Sequence, residues 1–220
     1  GTTSYIDGGA THTGILFGSS ALGPRDAGTT TDGTVDLGST GGRFKDLYLS
    51  GTAYINGITV GRGAGAVATN TAVGQDALAA NTSGGENTAY GRSALIVNTT
   101  GASNTANGTY ALFNNTTGSN NTATGRAALF ANTAGNSNSA YGYEALFSNT
   151  TASQNTATGF QALRNNTTGT NHVATGYQAL FNNTTGALNV ATGVQALHLN
   201  TTGSDNVATG AAALYANTTG

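Results

Sequence analysis

The 220-residue sequence has no cysteine, no methionine, no tryptophan and a single proline. Without cysteine there is no disulfide and no thiolate-held metal. Charge is scarce: Asp, Glu, Lys and Arg make up 7% of the residues and the net charge is −2, where an ordinary globular chain carries roughly 25% charged residues. No run of Lys and Arg is present, which argues against nucleic acid or an anionic membrane surface as the main partner. No apolar run is long enough to span a bilayer, and no signal peptide is visible. The chain starts without Met and stops at Gly220 in the middle of a repeated phrase. Solenoids normally need capped ends, so the sequence is expected to be an interior or processed piece of a longer protein.

What fills the chain is polar and uncharged: Thr, Asn, Ser and 34 Gly, beside a hydrophobic fraction of 37%. A disordered chain is usually poorer in apolar residues and richer in net charge. This composition suits stacked repeats, in which side chains pair with copies of themselves. The dipeptide Ala-Leu gives the period. Leu recurs at 78, 95, 112, 129, 146, 163, 180, 197 and 214, every 17 residues, always preceded by Ala. Gly lies four residues before each Leu and Asn three after it, giving the consensus G-x-x-A-L-x-x-N-T-T-G-x-x-N-T-A-x. Residues 65–220 therefore read as nine 17-residue repeats.

Two periodicities coexist in one unit. The fixed G, A, L and N fall at i, i+3, i+4 and i+7, one face of about two helical turns. The segment N-x-A-x-G has its fixed residues at i, i+2 and i+4, the period of a strand. The expectation is a β-rich solenoid with a short strand, a short helical turn and a Thr/Gly corner per unit; the alternative is two strands per unit in an all-β coil. Strands stack about 4.8 Å apart whereas packed helices need 8–10 Å. Such a coil must curve, tighten its helical parts, or admit strands of other chains, the last giving an intertwined oligomer. On the strand's other face Thr exchanges with Val (Thr156, then Val173, Val190 and Val207), which implies partial burial in the core or against another subunit. The fixed Asn either caps a helical turn or forms a stacked amide ladder. Phe113, Phe130, Phe147, Phe181 and Tyr215 follow their Leu directly, and Tyr143 with Phe147 and Tyr177 with Phe181 have i,i+4 spacing. They read as a packing stripe, with an aromatic platform for sugar rings as the functional alternative.

Residues 1–64 do not follow the repeat and read as a β-rich N-terminal segment, with a hairpin near 52–60 around Asn56-Gly57. The phrase "DLGSTGGRFKDLYLSG" (36–51) resembles a segment of tail-fibre proteins of tailed bacteriophages, and the "NTAxGxxALxxNTTG" units resemble repeats of such fibres and of related bacterial surface proteins. More loosely, N-x-A-x-G is similar to the shorter repeats of trimeric autotransporter adhesin heads. The resemblance implies an elongated homotrimer, intertwined or side by side, located in the virion and serving as shaft and possible host-receptor-binding surface. The partners it implies are the chain itself, other tail or fibre proteins, and a host surface polysaccharide or outer-membrane receptor. Alternatives are a bacterial surface adhesin or extracellular filament, and an ice-binding solenoid suggested by the Thr-x-Thr pairs of 122–124 and 156–158.

Chemistry has little foothold. No HExxH, P-loop or GxSxG context is present. His12, His172 and His198 are scattered in register, Asp26, Asp32 and Asp36 read as turn caps before calcium ligands, and Glu86, Glu144 and Asp205 are too sparse for an acid–base pair. No catalytic, cofactor-binding or metal-ligating residue is assigned, and no enzyme is expected. Sequons such as Asn98-Thr99-Thr100 keep a fixed phase that points to structure before glycosylation. His172 is the one residue that breaks the Asn phase running from Asn70 to Asn206; it reads as a substitute within a ladder before a ligand.

Overall fold

The computed structural model describes residues 53–55 and 58–220. They form one eleven-stranded sheet whose strand order is the chain order. Strands β1 (Ala53–Ile55) and β2 (Ile58–Gly61) make an antiparallel hairpin, and β2 pairs antiparallel with β3 (Thr71–Val73). From β3 the pattern changes. β4 (Thr88–Tyr90), β5 (Thr105–Asn107), β6 (Thr122–Thr124), β7 (Ser139–Tyr141), β8 (Thr156–Thr158), β9 (Val173–Thr175), β10 (Val190–Thr192) and β11 (Val207–Thr209) follow in parallel. Each residue pairs with the one 17 positions on, for instance Ala123 with Ala140. The result is a β-solenoid, one coil per 17 residues. Among the described residues the only helical element is a 3₁₀ turn at Ala64–Ala66.

The expected helical turn in each unit is absent. The segment G-x-x-A-L-x-x-N is two successive β-turns, closed by i→i−3 bonds such as Ala77 N to Gly74 O (3.3 Å) and Asn81 N to Leu78 O (3.4 Å). An α-helix needs consecutive residues near φ −63°, but φ lies near +137° at Gly176, +51° at Gln178 and +52° at Leu180. The coil is all-β, but with one strand per unit where the alternative had two. The spacing i, i+3, i+4, i+7 arises because the chain bends tightly around a narrow core, bringing those positions inward without a helix. This also removes the packing mismatch, since tight turns stack at strand spacing. Every strand from β3 on pairs directly with the next strand of the same chain. Within this sheet no gap is left between consecutive strands of the chain.

Leu in the left-handed region is costly, on the order of 1–2 kcal/mol. All nine Leu of the Ala-Leu pairs adopt φ between 49° and 53°. Two effects offset the cost. Burying a Leu side chain is worth roughly 1.5–3 kcal/mol, and Leu78 through Leu197 are fully buried. The Leu N–H also bonds the next coil, as Leu146 N does to Ala162 O (3.0 Å). Glycine opens the turn because nothing else fits: a Cβ on Gly74, at φ +140°, would lie 2.4 Å from the carbonyl oxygen of Gly91.

The core is a set of columns along the solenoid axis. Strand Ala72 through Ala191 and the Ala of each Ala-Leu pair up to Ala196 are almost wholly buried. Two Asn columns flank them, and every buried side-chain polar atom among the described residues has a partner.

Candidate functional site: columns inside and outside the coil

Each coil places a side chain directly on its copy above and below, so any surface or site must be built from columns. The first Asn column runs from Asn81 to Asn217. In it Nδ2 donates twice, to Oδ1 of the preceding Asn and to the carbonyl three residues on: Asn132 Nδ2 to Asn115 Oδ1 (2.8 Å) and to Gly135 O (3.1 Å). The ladder reading of the fixed Asn is the correct one, and Asn98, fully buried, is a structural amide in a sequon.

The second column runs from Asn70 to Asn206. Here Oδ1 accepts the backbone N–H of the next Asn, as Asn121 Oδ1 does from Asn138 N (2.9 Å), while Nδ2 donates to a carbonyl 14 residues on, as Asn121 Nδ2 does to Gly135 O (2.8 Å). His172 sits in this column, 1% exposed. Its N–H donates to Asn155 Oδ1 (3.0 Å), and its Nδ1 accepts the N–H of Asn189 (3.2 Å). A backbone N–H can only donate, so Nδ1 is the acceptor and the neutral ring carries its proton on Nε2. Nε2 lies 3.1 Å from Asn183 Nδ2, and the Gly186 backbone is a hydrogen-bond partner of the ring. Burial pushes the His172 pKa down to about 4, against the opposing pull of the Gly186 backbone contact.

Outside, a ring column follows the Leu column. Phe113, Phe130 and Phe147 stack at 5.1 and 5.0 Å, nearly parallel. The Arg164 guanidinium continues the column, 5.0 Å from the Phe147 ring and 6.0 Å from that of Phe181. Phe181, His198 and Tyr215 complete it at 5.2 and 5.1 Å. A second stack holds Tyr143, Phe160 and Tyr177 at 5.2 and 5.3 Å. These contacts connect residues 17 apart, so the i,i+4 pairing of Tyr143 with Phe147 and of Tyr177 with Phe181 is replaced by coil-to-coil stacking. The geometry also weighs on the sugar-platform reading. A sugar stacks on a ring face, and within the columns the faces are covered by neighbouring rings, leaving edges to solvent.

The carboxylates are engaged or isolated. Glu144 accepts from Arg164 Nε (2.7 Å) and Gln161 Nε2 (2.9 Å). Partial burial raises its pKa, but these bonds and the Arg164 charge outweigh it and hold the carboxyl below its usual range. Gln178 and Gln195 extend this amide row at 3.0 and 3.3 Å. Glu86 accepts from Ser103 Oγ (2.9 Å) and lies more than three coils from Glu144 along the chain. His198 belongs to the ring column and His172 to the buried one, so the structure does not bring them together. No cluster of three or more His, Asp or Glu that could hold a metal exists among the described residues, and none of their helices is long and apolar enough to cross a membrane. His12, Asp26, Asp32 and Asp36 lie outside the described residues.

The outward strand face is exposed in the single chain. Val173, Val207, Tyr90 and Tyr141 are 41%, 69%, 60% and 44% accessible, so the Thr/Val exchange does not reflect this coil's own core. No protein-family model matches the chain, and no curated protein or solved structure matches it.

Proposed function

We propose that the chain is a structural segment of a phage tail fibre, a shaft that associates side by side with two further copies and offers an outer surface to the host. The observation that carries this reading is the separation of inside from outside. Every buried side-chain polar atom among the described residues has a hydrogen-bond partner, so the core side chains have nothing left to offer a ligand. The outside carries apolar residues that a single chain leaves in water: Val173, Val194, Val207, Tyr90 and Tyr141. Side-by-side copies would cover part of that surface, as exposed apolar patches on a repeat rod generally imply. The phrase at 36–51 supplies the link to fibres, by resemblance. The reading assigns no reaction, cofactor or metal; other fibre proteins and a host polysaccharide or outer-membrane receptor are the partners, and the virion is the location.

Sedimentation equilibrium on the purified chain tests the assembly. A species of three times the 21.7 kDa chain mass is expected at micromolar concentration, and a stable monomer would sink the proposal. A bacterial surface adhesin of the same architecture differs in its gene context: export or anchoring segments in the full-length gene favour it, neighbouring tail genes favour the fibre. The ice-binding alternative needs a regular array of outward Thr. Tyr90, Asn107 and Tyr141 interrupt that array on the exposed strand face, and absence of thermal hysteresis is the expected result.

A further inference from the structure

The coil carrying His172 is held more loosely than the rest, on both sides. In the corner N-T-T-G, the N–H groups of the two residues after Asn and of the following Gly point at one Thr carbonyl of the next coil. In coils such as 99–101 all three bond Thr116 O, and in every other coil from Asn81 to Gly203 at least two do. At 150–152 only Thr150 reaches Thr167 O, at 3.2 Å. The cause is Ala152, which stands where its equivalents are Gly. A Cβ at the equivalent Gly118 or Gly169 would lie 2.5 or 2.2 Å from the next coil's carbonyl oxygen; Ala152 has that Cβ, so the corner has moved apart. The neighbouring bond Asn171 N to Ser153 O is 3.3 Å, where its equivalents are 2.9–3.1 Å. On the other side, Val173 N to Asn189 O is 3.0 Å where the equivalent strand-entry bonds are 2.8 Å.

His172 lies between these two loosened junctions. We propose that this coil is an acid-operated opening point of the solenoid, at which protonation of the buried imidazole releases the N-T-T-G corner from its neighbours. A proton taken from solvent can only go to Nδ1, since Nε2 already carries one. The incoming N–H then points at the N–H of Asn189, and the 3.2 Å ladder bond is lost. The groups around the ring are Asn155 from the preceding coil, Asn166 and Gly169 from its own, and Asn183, Gly186 and Asn189 from the following one. None is titratable or charged, so no carboxylate stands ready to hold the imidazolium. Opening exposes the ring to water, where it protonates at its ordinary pKa.

With pKa values of about 4 closed and 6.5 open, lowering the pH from 7 to 5 multiplies the local opening constant roughly twentyfold. Amide hydrogen exchange on the 220-residue chain, corrected for the pH dependence of the chemical step, measures this directly. Between pH 7 and pH 5 the opening constant of residues 166–190 is expected to rise by that factor while residues 98–135 stay unchanged. His172→Asn is expected to abolish the rise. Ala152→Gly is expected to reduce opening at pH 7 and to leave the pH ratio in place. An equal acid response in His172→Asn, or a rise of the same size in residues 98–135 of the natural chain, overturns the proposal. No change at pH 7 on Ala152→Gly overturns the role given to the corner.

Discussion

The two asparagine columns run side by side through the same core, and both look like amide ladders, yet only one contains a foreign residue. The difference lies in what each asks of its side chain. In the first column a single nitrogen must donate twice while the oxygen accepts, as at Asn149, which donates to Asn132 Oδ1 (2.9 Å) and Ala152 O (3.0 Å) and accepts from Asn166 Nδ2 (3.1 Å). In the second, one acceptor and one donor on opposite sides are enough. Four coils add a longer amide–amide contact of 3.1–3.2 Å, but Asn155 lacks it. A neutral imidazole offers one acceptor and one donor on opposite edges. It fits the second demand and cannot meet the first. A column of identical residues thus hides how strict each position is.

The scale for testing this comparison is set by the apolar core between the columns. Leu146→Asp removes a fully buried side chain and leaves an unpaired carboxylate; a loss of about 5 kcal/mol or more is expected in denaturant unfolding. Near-natural melting of that variant would refute the placement of the Ala-Leu phase. Between the columns, Asn149→His is expected to cost ~3 kcal/mol, because one ring donor must serve two acceptors and a buried group goes unsatisfied. Asn138→His, in the second column, is expected to cost ~1 kcal/mol. Equal losses would erase the distinction.

The natural histidine gives the finest test. At neutral pH, His172→Asn is expected to change stability by less than ~1 kcal/mol, since both residues complete the column. The gap opens in acid. The folded pKa of about 4 lies below the ordinary 6.5, so between those values the unfolded chain binds the proton and the folded one does not. The contribution is complete above pH 6.5 and disappears as the pH falls to about 4. The natural protein is expected to lose up to ~3 kcal/mol relative to His172→Asn over that window, with no further divergence below it.

Much of this was legible in the residues. The 17-residue period, the inward Asn-Ala-Gly face of each strand and the buried Ala-Leu phase follow from repetition and alternation. The helical turn did not follow, because a period of i, i+3, i+4 and i+7 records only which positions face inward. Leu197 at φ +52° faces inward from a left-handed turn, a conformation its side chain disfavours and stacking imposes. The aromatic residues were visible as a stripe, but nothing local reveals that Phe130 faces Phe147 across a full coil rather than a ring four positions away. The loosened corner at Ala152 was equally hidden, since an Ala among Gly is unremarkable until the neighbouring carbonyl is placed.

The amide column from Asn81 to Asn217 has one further consequence. Each Nδ2 donates to the Asn one coil earlier in the chain, and each Oδ1 receives from the coil that follows. The column is therefore an arrow. A coil offers its predecessor hydrogens and its successor a lone pair, so a unit turned end for end would set oxygen against oxygen and NH₂ against NH₂. The rod has a head and a tail written in its interior, and a coil can join it in one sense only.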